Sequence, residues 1–221
     1  MMMKFWIKLI HIVNQIFFPI SCVGCRRPDI LLCQDCDEKL TPSDNLDEQT
    51  ITALAYSDVA VKQLVWLMKY RGSKQATNIL AEKLHQKILY HLSDLPDFYL
   101  VKEKILLVPV PMTKKHERKR GWNQTKRLAE AMTELSPHTY VVSNALRKIR
   151  ETKRQVLCQN KNERINNLKN CFELAPNIDL NNKIVIIIDD VTTTGATMAE
   201  AVRVLKESSP RYLYGGVVAH S

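Results

Sequence analysis

The sequence predicts an α/β protein: a mainly parallel sheet flanked by helices, preceded by a small four-cysteine module. Three observations predict it. Ile184 to Ile188 is an unbroken run of five β-branched residues, the mark of a strand buried on both faces. From about Ile51 onward, strand-like and helix-like segments alternate, as they do in parallel sheets covered by helices. Between Cys22 and Cys36 two Cys-x2-Cys pairs stand seven residues apart, a spacing suited to metal binding.

The elements follow in order. Trp6, Ile7, Leu9, Ile10, Val13, Ile16 and Phe17 recur at roughly helical spacing, predicting an amphipathic helix that packs on the body and ends at Pro19. Lys8, His11, Asn14 and Gln15 interrupt this stretch and no small-residue cleavage site follows, which argues against a secretory signal and for the cytoplasm. Thr52 to Tyr56 reads as a strand. Val59, Leu64, Val65, Leu67 and Met68 mark a helix ended by Gly72, and a second helix covers Lys74 to His91. Ile105 to Val110 reads as a strand, Asn123 to Leu135 as a helix and Tyr140 to Val142 as a short strand. After Ile184–Ile188 come a helix over Ala196–Glu207 and a strand, Tyr212 to Val218, that closes the sheet. The expected division is 1–50 for the helix and cysteine module and 51–221 for the α/β body.

Composition narrows the function classes. With 221 residues, 45% hydrophobic and 25% charged, the chain carries enough apolar side chains for a core, excluding disordered and collagen-like readings. No stretch of about eighteen apolar residues predicts a spanning helix. The net charge of +9 is unevenly placed. Between Lys102 and Asn170 stand 17 Lys and Arg against 6 Asp and Glu, while the rest holds 15 against 17. That basic third is a candidate surface for phosphates or nucleic acid, or simply a solvated face. Trp122, beside Arg120, is a candidate for stacking on a base, against the commoner inward packing of a tryptophan that opens a helix.

Cys22, Cys25, Cys33 and Cys36 supply a tetrahedral four-sulfur set, the donor set of a closed structural zinc site. Gly24 is expected to let the first turn aim its amides at the sulfurs. Two disulfides fit a reducing compartment poorly, and a redox motif needs only one such pair. Cys158 and Cys171 read as ordinary residues.

After the most buried strand comes Asp189-Asp190-Val191-Thr192-Thr193-Thr194-Gly195-Ala196-Thr197. A hydroxyl-rich turn running into a helix start offers amides, hydroxyls and a positive dipole to a phosphate. The two carboxylates repel a phosphate, and suit the vicinal hydroxyls of a sugar or a cation held through water. The phosphate loop of nucleotide triphosphatases, Gly-x4-Gly-Lys-Ser/Thr, is absent.

Ile184 to Thr197 resembles the phosphoribosyl-pyrophosphate signature of type I phosphoribosyltransferases. The resemblance implies that Asp189 and Asp190 bind ribose hydroxyls, and that Thr192, Thr193, Thr194, Gly195, Ala196 and Thr197 bind the 5′-phosphate. Further segments, Lys69-Tyr70-Arg71-Gly72, Val108-Pro109-Val110-Pro111, Arg118 with Arg120 to Gln124, and Thr152, Lys153, Gln155, Leu157, Arg164, Asn167 and Phe172, together with the cysteine module, are similar to the ComF family of competence-associated proteins. The resemblance runs from about Pro19 to the end of the chain. It implies a type I phosphoribosyltransferase-like fold, structural Zn2+, and Mg2+ with phosphoribosyl pyrophosphate, whose pyrophosphate would lie near Pro109, Pro111 and Met112. Lys153, Arg154 and the basic residues from Lys114 to Arg120 would neutralise it. The implied partners are single-stranded DNA along 102–170 and other competence proteins. Cys158 departs from the Leu or Gly expected there, within a loop expected to close over substrate. No residue reads as a base for an incoming nucleobase, and His116 reads as surface. The reading that follows is a competence protein handling single-stranded DNA, with an active phosphoribosyltransferase on an unidentified base or metabolite as the alternative.

Overall fold

The computed structural model describes residues 20–96, 98, 103–152 and 167–221. The helix expected before Pro19, and Lys153, Arg154, Gln155, Leu157, Cys158 and Arg164, lie outside them. Seven strands are present among the described residues: β1 (Thr50–Ala55), β2 (Ile105–Pro109), β3 (Tyr140–Val142), β4 (Leu146–Lys148), β5 (Phe172–Leu174), β6 (Ile184–Thr192) and β7 (Tyr212–His220). Five pair into one sheet in the order β1-β7-β6-β2-β3, every pair parallel. The last strand lies in the interior of this sheet. It inserts between β1 and β6, and β1 and β3 form the edges.

The helices among the described residues are α1 (Gln34–Asp37), α2 (Val59–Trp66), α3 (Lys74–Ser93), α4 (Lys114–Arg120), α5 (Gln124–Leu135) and α6 (Ala196–Lys206), with a π-helical turn at Leu67–Arg71 after α2. Asp58, Ser73, Thr113 and Asn123 cap α2 to α5 by accepting from first-turn amides, each a polar side chain of the type that satisfies an orphan donor. The sequence shows α4 only as a basic run, because five of its seven residues are Lys or Arg and none is buried.

Alternation along β6 builds two cores. Ile184, Ile186 and Ile188 face the layer of α3 and α5, and Val185 and Ile187 face α6 and the antiparallel β4–β5 pair. Each such side chain taken fully out of water contributes about 1.5–3 kcal/mol. The first core is sealed beside the cysteine module, which adds Val23 and Leu40 to it. Lys83 Nζ on α3 lies 2.6 Å from Asp37 Oδ2.

From β2 the chain leaves through α4 and α5 to β3, on one side; from β6 it leaves through α6 to β7, on the other. β2 and β6 are neighbours, so the sheet has its topological switch point between them. Ligands of open parallel sheets bind beyond the strand ends at such a point.

Candidate functional site

The carboxyl end of β6 carries Asp189 and Asp190, and period-two alternation sends them to opposite faces. They are not a matched pair. Asp190 follows Ile184, Ile186 and Ile188 toward α3 and α5, where it is 5% exposed. Lys69 Nζ lies 2.9 Å from its Oδ1. Gln124 Nε2 donates to its Oδ2 at 2.8 Å, and the Val191 amide donates to Oδ1 at 2.6 Å. Arg120 Nη1 in turn donates to Gln124 Oε1 at 2.6 Å. Burial works against the Lys69 ammonium, but the Asp190 charge overcomes it and the amine holds its proton more tightly than usual.

This network gives the short motifs their physical meaning. The π-helical turn delivers Lys69, and such turns recur at functional positions. Gly72 ends it at φ +60, where a Cβ would stand 3.0 Å from both Trp122 and Arg127. Gly121 takes φ +88 at the end of α4 with open space around it, so there only the backbone conformation demands glycine. Asn123 caps α5 and donates to the Val110 carbonyl at 3.2 Å, joined by the Thr125 hydroxyl at 2.7 Å. Trp122 packs beneath Gly72 with Arg127 4.6 Å from its ring, and its indole nitrogen is buried. It is a wedge between two motifs, the inward packing weighed above as the commoner case, and remains half-buried at the edge of a cavity it shares with Tyr70 and Arg120.

Asp189 faces the other layer. Its Oδ1 accepts from the Asp190 amide at 2.8 Å. Burial, then the Asp190 charge, push its carboxyl up to about 7, against the pull of Lys69 and Lys148. Lys148, on β4, donates to Thr152 Oγ1 at 2.9 Å, and burial pushes its ammonium down. It lines a cavity of about 190 Å³ with Pro111, Met112, Thr113, His116, Phe172 and Thr197. The sequence signal for Lys148 was absent, because nothing local distinguishes it from other lysines of the basic third.

Around this cavity the expected residues separate. Pro111 and Thr197 line it, whereas Pro109 is buried as the last residue of β2. Thr192 is also turned inward, 6% exposed, its Oγ1 accepting from the Gly195 amide at 3.1 Å, so it shapes the loop. Thr193 is exposed and Thr194 half-buried. Gly195 takes φ +70 as the N-cap of α6, which has no side-chain cap, leaving its positive end facing the loop. Ala196 begins the helix and is buried. His116 is half-buried, pairs through Nδ1 with Thr113 Oγ1 at 3.0 Å, and borders the cavity.

The four cysteines of the N-terminal module bring their sulfurs within 4.8 Å of one another. Burial pushes the Cys22 thiol up, but the amides of Cys25, Cys33 and Gly24 outweigh it and hold it at about 6. Gly24 is needed for space, contrary to the conformational role expected. It has no positive φ, and a Cβ would stand 2.6 Å from Cys36 Sγ. Arg26 and Asp29 take the left-handed conformations instead, at φ 67 and 63. Four convergent sulfurs form a structural metal site by geometry and donor chemistry.

A parallel α/β body with a switch-point loop, tied to a four-cysteine module, defines the class. No family model matches the chain. Among curated proteins it is 30% identical over 192 residues to "Competence protein ComFC" of Bacillus subtilis (strain 168), across 84% of this chain and 71% of that one. It is 27% identical to "DNA utilization protein YhgH" of Escherichia coli (strain K12), across 83% and 77%. The chain belongs to the ComF family. Among solved structures, a "HGPRT-ase from Leishmania tarentolae in complex with GMP" aligns with 67% of this chain and 68% of its own at TM-score 0.39 and 15% identity. No helix of the described residues is long and apolar enough to cross a membrane.

Proposed function

We propose that this protein is a cytoplasmic component of natural transformation that handles single-stranded DNA and binds phosphoribosyl pyrophosphate at the switch point. The carrying observation is the face of Asp189. On that side of the sheet Lys148 and Thr197, in the first turn of a helix without a side-chain cap, share a cavity with Val110 and Pro111 just beyond β2, and the Lys148 charge acts on the half-buried Asp189. The loop amides of 193–197 would take the 5′-phosphate, Asp189 the ribose hydroxyls, and Pro111 and Met112 would border the pyrophosphate with its Mg2+. Asp190 would act by holding the loop in place, and Lys153 would join from the segment beyond Thr152. The names of the relatives, competence and DNA utilization, support the DNA reading, as does the basic third of the chain.

Titration calorimetry with phosphoribosyl pyrophosphate and Mg2+ tests the pocket. Wild type should bind and Asp189→Asn should not; no heat with wild type removes the pocket. Anisotropy with labelled single-stranded DNA tests the handling. Salt-sensitive association below about 10 μM is expected, and its absence removes the DNA role.

The cysteine module, part of the 1–50 unit that also carries the expected N-terminal helix, would hold Zn2+ as a structural staple of the 51–221 body. Metal analysis should find one zinc per chain, and chelation should lower the melting temperature, because metal binding energy in such modules is folding energy.

A second reading, transfer of the ribosyl group to an unidentified base or metabolite, is favoured by one observation. Asp189 is kept at an electrostatically unfavourable position, as active sites often require. Catalysis would then be positioning and charge stabilisation as pyrophosphate leaves. Pyrophosphate release with a panel of nucleobases decides it: turnover lost in Asp189→Asn supports the enzyme, and none with wild type rejects it.

A further inference from the structure

Two large aromatic side chains stand in water beside the site. Trp66 is 45% exposed and Tyr70 60% exposed, although such rings ordinarily contribute to a core. They neighbour each other at the end of α2 and in the π-helical turn, ring centroids 6.1 Å apart. Arg71 lies 5.4 Å from the Trp66 ring and Arg120 lies 5.5 Å from the Tyr70 ring. Two adjacent rings are therefore flanked by a cation at each end of one ledge, in the order Arg71, Trp66, Tyr70, Arg120.

The ledge joins two cavities. At one end Trp66 shares a groove of about 330 Å³ with Arg26 and the cysteine module. At the other, Tyr70 shares a cavity of about 280 Å³ with Lys69, Lys119 and Arg120. Neither is lined by any carboxylate, and the acid nearest Lys69, Asp190, is buried and paired with it.

From this arrangement we infer that the ledge is a stacking platform for single-stranded DNA, running from the cysteine module to the mouth of the switch-point site. Exposed, adjacent rings with a cation against each match unpaired bases on a polyanionic backbone. Duplex DNA offers its bases only as edges in the grooves, so it could use the arginines but not the rings. An apolar protein partner would use the rings but gain nothing from a rim without acids. The inference rests on the DNA-handling reading and locates it. The strand lies on the π-helical turn that presents Lys69 to Asp190, with α4 as its basic rim and not the whole basic third as its track.

The test is anisotropy of the full chain with a labelled oligothymidylate of about twenty nucleotides, at several salt concentrations. The double variant Trp66→Ala/Tyr70→Ala should bind about tenfold or more weakly at unchanged melting temperature, and Trp66→Phe/Tyr70→Phe should restore binding. Arg71→Gln should reduce the salt slope by about one. An abasic strand of equal length should bind wild type as weakly as the intact strand binds the alanine variant. Wild-type affinity in the alanine variant overturns the platform while leaving the DNA role intact, and assigns the ledge to a protein partner or a second copy of this chain. No binding by wild type at low salt overturns both.

Discussion

The two faces of the sheet at the end of β6 carry the same side chain one residue apart and treat it in opposite ways. On one face Asp190 is closed in by Lys69, Gln124 and the Val191 amide. On the other, Asp189 is left with a single backbone donor and a lysine whose charge is itself disfavoured. The difference teaches that adjacency in sequence is not partnership in space. A strand turns neighbouring residues away from each other, so an acidic pair there is two separate groups, one sealed by partners and one left with few.

The largest expected effect breaks the sealed group. Asp190→Ala leaves Lys69 buried without a partner, and losing one member of such a pair costs about 3–5 kcal/mol; urea unfolding should read it. A cost near zero would erase the distinction between the two faces.

The opposite sign is expected at Asp189. Its carboxyl keeps its proton up to about 7 in the folded chain, against a usual value of 3.8. In the unfolded chain the proton leaves near that usual value. Between those limits the unfolded state binds fewer protons, so this group makes stability fall as pH rises, with no further change above 7. Asp189→Asn should therefore stabilise the protein by about 1–3 kcal/mol above neutrality and have no effect below pH 4. Melting curves across that range check both limits, and destabilisation at pH 8 would refute the account.

Lys148→Met should leave melting nearly unchanged, since burial already disfavours the charge. It should weaken phosphoribosyl pyrophosphate binding about tenfold, the worth of one charge-assisted contact, in calorimetry. The smallest effect separates two glycines. Gly121→Ala should cost about 1 kcal/mol through its positive φ alone. Gly72→Ala should exceed it, because its new methyl also meets Trp122 and Arg127.

Much of this was legible beforehand. The strands β2, β3 and β6, the helices α3, α5 and α6, and the cysteine cluster each carry a local signal: a β-branched run, a helical period, a paired spacing. The β4–β5 pair carried none, since two three-residue strands form only when chain segments far apart in sequence meet. The site was legible as a list and not as an arrangement. Pro111 and Thr197 line the cavity and Asp189 is half-buried, whereas Asp190, Pro109 and Thr192 face inward. Trp122 packs beneath Gly72, which lacks the side chain that would keep its ring out, whereas Trp66 and Tyr70 stay exposed.

By itself the sequence determined what depends on neighbours along the chain: which segments become strands and helices, where a phosphate-type loop meets a helix start, and which four sulfurs can converge. Only the tertiary structure decided which acid is sealed, which lysine seals it and which aromatics remain in water. Those outcomes depend on contacts such as Lys69 with Asp190 and Gln124 with Asp190. Their energies come from burial and pairing across long stretches of chain, which no local pattern encodes.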